Sequence, residues 1–204
     1  MDSALVELAA VMERLRRECA WKAGQTHLSL VRYLLEETYE VVEAIEDGTP
    51  DDLREELGDL LLQVYFHAAI AAEAGSFGIE DVAGDLIAKL VRRNPHVFAP
   101  TSDTAGADAE AIRRMEPADI NEQWEQIKAT EKRRTEVMAG VPEELPALLR
   151  AQKALDRLER AGQEPVLPDG PTDLGDRLLA LVVEARRDGI DPEQALRAAV
   201  RRLL

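Results

Sequence analysis

Residues 34–66 read LLEETYEVVEAIEDGTPDDLREELGDLLLQVYF, and this stretch decides the fold. Apolar residues recur every three or four positions on both sides of Asp47-Gly48, which is the spacing of helices and not of strands. Thr49-Pro50-Asp51-Asp52 has the form of a helix start: a capping hydroxyl, a proline at the first helical position and acids in the first turn. The pattern predicts helices over 28–46 and about 50–73. The turn between them is short enough to set the two antiparallel.

The acids of this hairpin are its informative residues. Glu36, Glu37 and Glu40 lie three and four apart and share one face of the first helix. Glu56 and Asp59 are three apart on the second. Counted from the turn, Glu40 lies at the depth of Glu56 and Glu37 at the depth of Asp59, so four carboxylates converge between the helices. A solvated face accounts for Glu43, Glu46, Asp47, Asp51 and Asp52. Asp59 is harder to explain that way, because aspartate is a poor helix-interior residue and Leu57, Leu60, Leu61, Leu62, Val64, Tyr65 and Phe66 surround it. A helix this apolar on nearly every side is expected to be buried. Its polar stripe runs through Asp52, Glu56, Asp59 and Gln63, facing Glu36, Glu37, Glu40 and Glu43. Like charges packed so closely repel or protonate unless a cation neutralises them. Oxygen-only ligands suit a hard cation, Mg²⁺ or Mn²⁺. A solvated acidic stripe is the competing reading.

Outward from the hairpin the helical period continues. Helices are expected over 3–18, 79–93, about Ile120 to Val137, about Leu145 to Ala161, 174–187 and 192–203. CAWKAGQTH (19–27) reads as irregular, 99–109 as a loop and 162–173 as a linker. The fold class is all-α, a helical bundle. Residues 57–93 also echo in 174–204: Leu-Gly-Asp opens each segment, Gly75 and Gly189 separate the helices, and each ends in an arginine pair. Divergent duplication explains this better than chance.

Composition narrows the function. The 204 residues carry 40 acids against 25 bases, a formal charge of −15, so binding to a nucleic-acid polymer is disfavoured. The single Cys19 makes neither an internal disulfide nor a cysteine-rich zinc site. The longest apolar stretch, Leu60 to Ala72, is broken by Gln63 and His67 and is shorter than the ~20 residues of a membrane span. The start, MDSALVELAA, lacks the basic residues of a secretory signal, and a cytoplasmic location is expected. No Glu-x-x-His occurs, which removes the usual di-iron bundle. His27, His67 and His96 lack zinc spacing. Walker, EF-hand and nucleophile-elbow patterns are missing from the sequence.

A hard-cation site in such a protein points to phosphate chemistry, since Mg²⁺ commonly bridges a few carboxylates and substrate phosphates. Lys89, Arg92 and Arg93 supply cations in KLVRR. Trp124 and Lys128 are four apart in NEQWEQIKATEK and share a face. Any one of these alone fits core packing or solubility; together with the acids they fit a nucleotide site, with cations for phosphates and an indole for stacking.

At this point the residues resemble a known family. Glu36-Glu37-x-x-Glu40, then fifteen residues, then Glu56-x-x-Asp59 is similar to the EExxE…ExxD signature of MazG nucleoside triphosphate pyrophosphohydrolases. CAWKAGQTH resembles the family's CPWDxxQTH, KLVRRNPHVF its KLxRRHPHVF, and WEQIKATEK its W-x-x-I-K-x-x-E-K. LPALLRAQK (145–153) resembles the segment that joins two such domains in longer members. The resemblance implies an all-α bundle of the NTP pyrophosphatase type, a homodimer, and hydrolysis of nucleoside triphosphates to monophosphate and pyrophosphate with Mg²⁺. By motif position, Glu37, Glu40, Glu56 and Asp59 would hold metal, and Glu36 would support the shell or orient the attacking water. Lys89 and Arg93, with Arg92 beside them, would contact phosphates, and Trp124 and Lys128 would line the nucleotide pocket. Residues 1–98 would form the catalytic helical domain, 99–140 a loop and pocket helix completing it, and 141–204 a truncated, degenerate second segment. That segment keeps Asp173-x-x-Asp176 without a preceding EExxE, so no Mg²⁺ is expected there. Ala20, Lys22 and Asn94 depart from the family pattern beside the proposed site and bear on substrate preference. A non-catalytic helical interaction module and a narrow dUTP or dCTP pyrophosphatase are the alternatives.

Overall fold

A computed structural model of the chain describes residues 3–98, 116, 119–121, 123, 124, 127, 131, 137–165 and 173–203. Every regular element among them is a helix, as expected. The chain forms two compact units, Met1–Ile120 and Asn121–Leu204.

In the first unit, α1 (Ala4–Glu18) is capped by Ser3, whose hydroxyl accepts from the Leu5 N–H. The CAWKAGQTH stretch is not wholly irregular, because Ala20–Ala23 make a short helix, α2. It is held from the preceding helix: Arg16 of α1 donates to the carbonyl oxygens of Lys22 in α2 and of Gln25 just after it. The third helix, α3, spans His27–Asp47 and starts in a reciprocal cap between Thr26 and Ser29. Gly48 ends it. Helix α4 (Pro50–Glu73) starts as the sequence predicts: Thr49 and Asp52 cap one another and Pro50 occupies the first turn. Gly75, at φ 68°, terminates it in the left-handed region. Helices α5 (Ile79–Arg93) and α6 (Pro95–Phe98) follow.

The core of this unit lies where α1 and α3 pack on α4. Met12, Leu30, Tyr65 and Phe66 are buried, with Leu8, Leu15, Tyr33 and Ile70 against them. The Tyr65 hydroxyl donates to the Leu5 carbonyl at 3.1 Å. One expectation needs correction. Helix α4 is not buried on nearly every side: Gln63, Tyr65, Phe66, Ala68 and Ala71 are buried, but Leu57 and Val64 are 49% and 40% exposed. The helices of this chain that pack on α4 cover only part of its circumference. A second apolar stripe lies open on α3, where Leu28, Val31, Leu35 and Tyr39 recur at helical spacing.

In the second unit α7 (Ala147–Arg160) packs against α8 (Leu174–Arg187) and α9 (Pro192–Arg201). Leu155, Val182 and Pro192 are its buried apolar residues among those described. Arg186 ties α8 to Asp156 and Glu159 of α7, and Arg157 donates to the carbonyls of Val137 and Ala139. The helix expected from Ile120 is helical at each described residue through Glu131, while Val137 lies in a turn. The expected loop at 99–109 and most of the linker at 162–173 lie outside the described residues. Gly189, at φ 70°, stands between α8 and α9 as Gly75 stands between α4 and α5. The echoed Leu-Gly-Asp is used differently in the two units. Asp59 is in the middle of α4, whereas Asp176 is in the first turn of α8 and its N–H is capped by the Asp173 carboxylate at 2.9 Å.

Candidate metal centre

The α3–α4 hairpin positions the acids, and Gly48 allows its tight turn. A Cβ added there would meet the Ala44 Cα at 2.7 Å and the Ala44 carbonyl oxygen at 2.8 Å, so the chain can approach the end of α3 this closely only without a side chain. From that turn the helices run back along one another. Glu37, Glu56 and Asp59, all half-buried, bring carboxylate oxygens within 4.8 Å of one another. Glu40 is more exposed and stands at the edge of this group, close enough to share a carboxyl–carboxyl hydrogen bond with Glu37 and to act on Glu56.

The electrostatics follow from that crowding. Burial raises the Glu37 carboxyl above its ordinary value, and Asp59, Glu40 and Glu56 raise it further. Glu56 is likewise raised by desolvation, then by Glu40, Asp59, Glu55 and Asp52. Protein groups alone leave these negative charges in conflict. The donor set is purely oxygen, from carboxylates on two rigid helices, and fits a hard divalent cation. Gln63 adds an amide: its Nε2 is 3.5 Å from Glu37 Oε1, and its own Oε1 is buried with no partner among the described residues.

The other residues singled out from the sequence take separate places. Glu36 is exposed and acts on Arg32, one turn earlier on α3, outside the three-carboxylate group. Lys89 and Arg92 are exposed and Arg93 half-buried near the end of α5, which packs on α4. Lys89 and Arg92 line an open groove with Phe77, Asp81, Asp85 and Leu86. Trp124 is half-buried and belongs to the second unit, and Lys128 lies outside the described residues. Of the departures from the family pattern, Lys22 extends its ammonium over the Trp21 and Phe66 rings. Asn94 closes α5 by donating to the Leu90 carbonyl at 2.8 Å.

Two groups near the hairpin carry no role that the sequence alone reveals. Gln63 was visible in the polar stripe, and its burial in LLLQVYF was the available signal. His27 and His67 lie side by side across α3 and α4, their ring planes within 5° of parallel and their Nδ1 atoms 2.7 Å apart. Read singly they carry no spacing signal. The antiparallel count that places Glu37 opposite Asp59 runs on and brings them together.

Comparison with known proteins gives a consistent picture. Residues 25–98 match the MazG nucleotide pyrophosphohydrolase domain. Over 198 residues the chain is 47% identical to an uncharacterized 26.1 kDa protein of Streptomyces cacaoi, covering 96% of this chain and 77% of that protein. It is 38% identical to the nucleoside triphosphate pyrophosphohydrolase/pyrophosphatase MazG of Thermotoga maritima, covering 97% of this chain and 82% of that one. It is 43% identical to the nucleoside triphosphate pyrophosphohydrolase of Mycobacterium tuberculosis over 96% of its own length, and spans 54% of that longer protein.

Proposed function

This chain belongs to the MazG nucleotide pyrophosphohydrolase family, and from that premise we propose that it hydrolyses nucleoside and deoxynucleoside triphosphates to the monophosphate and pyrophosphate with Mg²⁺. The observation that carries the proposal is the convergence of Glu37, Glu56 and Asp59 within 4.8 Å, with Glu40 at the rim. These four residues would hold Mg²⁺, and Mn²⁺ would be the natural substitute. When bound, the cation polarises a phosphoryl oxygen and lowers the pKa of a bound water.

The residues of the chain then divide the remaining tasks. Glu36, exposed on α3, would support the metal shell or orient the attacking water toward the α-phosphate. Lys89 and Arg93, with Arg92, supply positive charge for the phosphates and offset the charge that grows on the leaving pyrophosphate. By motif position alone, Trp124 and Lys128 would provide an indole face and a cation for the nucleotide. A homodimer is part of the proposal: the open stripe of Leu28, Val31, Leu35 and Tyr39 on α3, together with exposed Leu57 and Val64 on α4, is the surface that a second copy would cover. No described helix is long and apolar enough to cross a membrane.

The test is a product assay. Each NTP and dNTP is incubated with the protein and Mg²⁺, and products are separated by ion exchange, with Asp59→Asn as control. Monophosphate plus pyrophosphate, absent from the control, is the expected result. Diphosphate plus phosphate would assign the attack to another phosphorus and overturn the residue roles. No turnover of any nucleotide would favour a non-catalytic helical module.

A further inference from the structure

Gln63 is an amide where the surrounding pattern asks for an apolar residue. It lies one turn beyond Asp59 on the same face of α4, and it is 4% exposed. Its Nε2 reaches across the hairpin to Glu37 Oε1 at 3.5 Å, the long limit of a hydrogen bond. Its Oε1 is buried without a partner. An unsatisfied buried carbonyl oxygen destabilises a fold, and a leucine or methionine would fill the space without that penalty. The amide head reaches the edge of the carboxylate cluster through Glu37.

We propose that Gln63 is a positioning residue of the carboxylate site, donating to one oxygen of Glu37 and accepting from a water of hydrated Mg²⁺. The inference rests on the metal-site reading above. Three physical points support it. First, Glu37 is crowded by Asp59, Glu40 and Glu56, and a free glutamate side chain would relax by rotating away from them. A donor fixed on α4 opposes that rotation and leaves the second Glu37 oxygen for the cation. Secondly, an amide restrains the carboxylate without neutralising it. Lysine or arginine at this position would form an ion pair with Glu37 and compete with the metal. Thirdly, Mg²⁺ gives up its waters reluctantly and keeps several of them. Those waters need acceptors, and an unpaired buried carbonyl oxygen is one. Partners of this kind orient metal ligands, and their loss typically weakens metal affinity about 10–100-fold.

The experiment uses Gln63→Leu, with Gln63→Met as an unbranched second variant should the branched one not fold. Glu56→Gln serves as the site control. Mg²⁺ alone, without nucleotide, is titrated by calorimetry, and Mn²⁺ binding is followed by electron paramagnetic resonance. The expected result is that the Gln63 variants melt at or above the parent temperature without metal, yet bind Mg²⁺ about 10-fold or more weakly. Turnover should return toward the parent kcat at saturating Mg²⁺, as it would for a residue that positions a ligand and takes no part in the chemistry. Parent-like Mg²⁺ affinity in both Gln63 variants, with binding lost in Glu56→Gln, would overturn the proposal and leave Gln63 as a core amide satisfied by internal water. Parent-like affinity in Glu56→Gln would instead sink the carboxylate site itself, and this inference with it.

Discussion

His27 at the start of α3 and His67 in the second turn from the end of α4 face each other Nδ1 to Nδ1 at 2.7 Å, their rings 5.1 Å apart and within 5° of parallel. Such a contact holds one proton: one imidazole donates and the other accepts, and two imidazolium ions cannot share it. His67 is held below its ordinary value by burial and then by the charge of His27, and its Nε2 is buried without a partner among the described residues. The sign of the linkage follows. A histidine whose folded pKa is depressed contributes stability that is present above the unfolded value, near 6.5. That stability is lost as pH falls through the folded value. The parent should therefore lose melting temperature on acidification below about pH 6.5, and His67→Gln should remove part of that loss. Thermal melts of both proteins at pH 7.5, 6.5 and 5.5 make the comparison; parallel curves would show that the pair does not titrate in this way.

Arg16 joins three segments through one guanidinium. Its Nε donates to Glu73 Oε1 at 2.7 Å and a terminal nitrogen to Glu73 Oε2 at 2.5 Å, while the other terminal nitrogen serves the Lys22 and Gln25 carbonyls. The side chain is 7% exposed and Glu73 48% exposed, so the carboxylate end of the pair is screened by water. Lysine cannot satisfy a carboxylate and two carbonyls at once. Arg16→Lys should cost about 2–3 kcal/mol, and Glu73→Gln only about 1 kcal/mol. Urea unfolding of the two single variants and the double variant would measure this. Equal effects of the two single substitutions would mean that the bonds to the Lys22 and Gln25 carbonyls contribute nothing.

Gly48 and Gly58 form a matched pair for a third prediction. At Gly48 the φ is an ordinary −91°, so space and not dihedral preference requires glycine. Alanine there would press on the Ala44 backbone and should destabilise by about 1–3 kcal/mol, as overpacking does. The same turn sets the depth at which Glu40 meets Glu56, so Mg²⁺ affinity should fall with it. At Gly58, beside Asp59, an added Cβ meets nothing within 4 Å. Alanine should stabilise α4 by about 0.5–1 kcal/mol there. If Gly48→Ala kept both its stability and its Mg²⁺ affinity, the turn would not be what sets the hairpin.

These pairs mark where the sequence was readable. The hairpin was legible because its determinants are local: Thr49, Pro50 and Asp52 write the start of α4, and Gly48 writes the end of α3. The shared face of Glu37 and Glu40, and of Glu56 and Asp59, follows from helical spacing alone. Helix α2 was missed because it is held from α1, through Arg16, and four residues carry no period. The histidine pair is not legible locally, because His27 and His67 lie forty residues apart and meet only through the antiparallel packing of α3 on α4. The open side of α4 was misjudged for a different reason. Counting Leu57 and Val64 as apolar says that they favour burial, but what covers them is a question of packing that the local pattern does not contain. The bases of α5 were legible as cations, while their placement relative to the acids depends on how α5 leaves α4.

The last prediction concerns the carboxylates as a charge problem. Glu37 and Glu56 are both raised, each first by desolvation and then by neighbouring acids. A carboxyl whose folded pKa is raised contributes stability that is fully present below its unfolded value, near 4.3, and lost as pH rises through the folded one. At neutral pH the metal-free protein therefore carries this repulsion unrelieved. Glu56→Gln should raise the melting temperature of metal-free protein at pH 7, and the difference should vanish below about pH 4, where both forms are neutral. Mg²⁺ should reverse the order. It stabilises the parent by about 1.4 kcal/mol when its free concentration is ten times the dissociation constant, more at pH 7 than at pH 5 because binding displaces protons. The variant should lose most of that gain, so the two melting curves exchange places on adding Mg²⁺. A variant that melts below the parent without metal at pH 7 would mean that Glu56 is held by favourable contacts and is not in conflict with its neighbours, and the electrostatic case for a cation between α3 and α4 would fall.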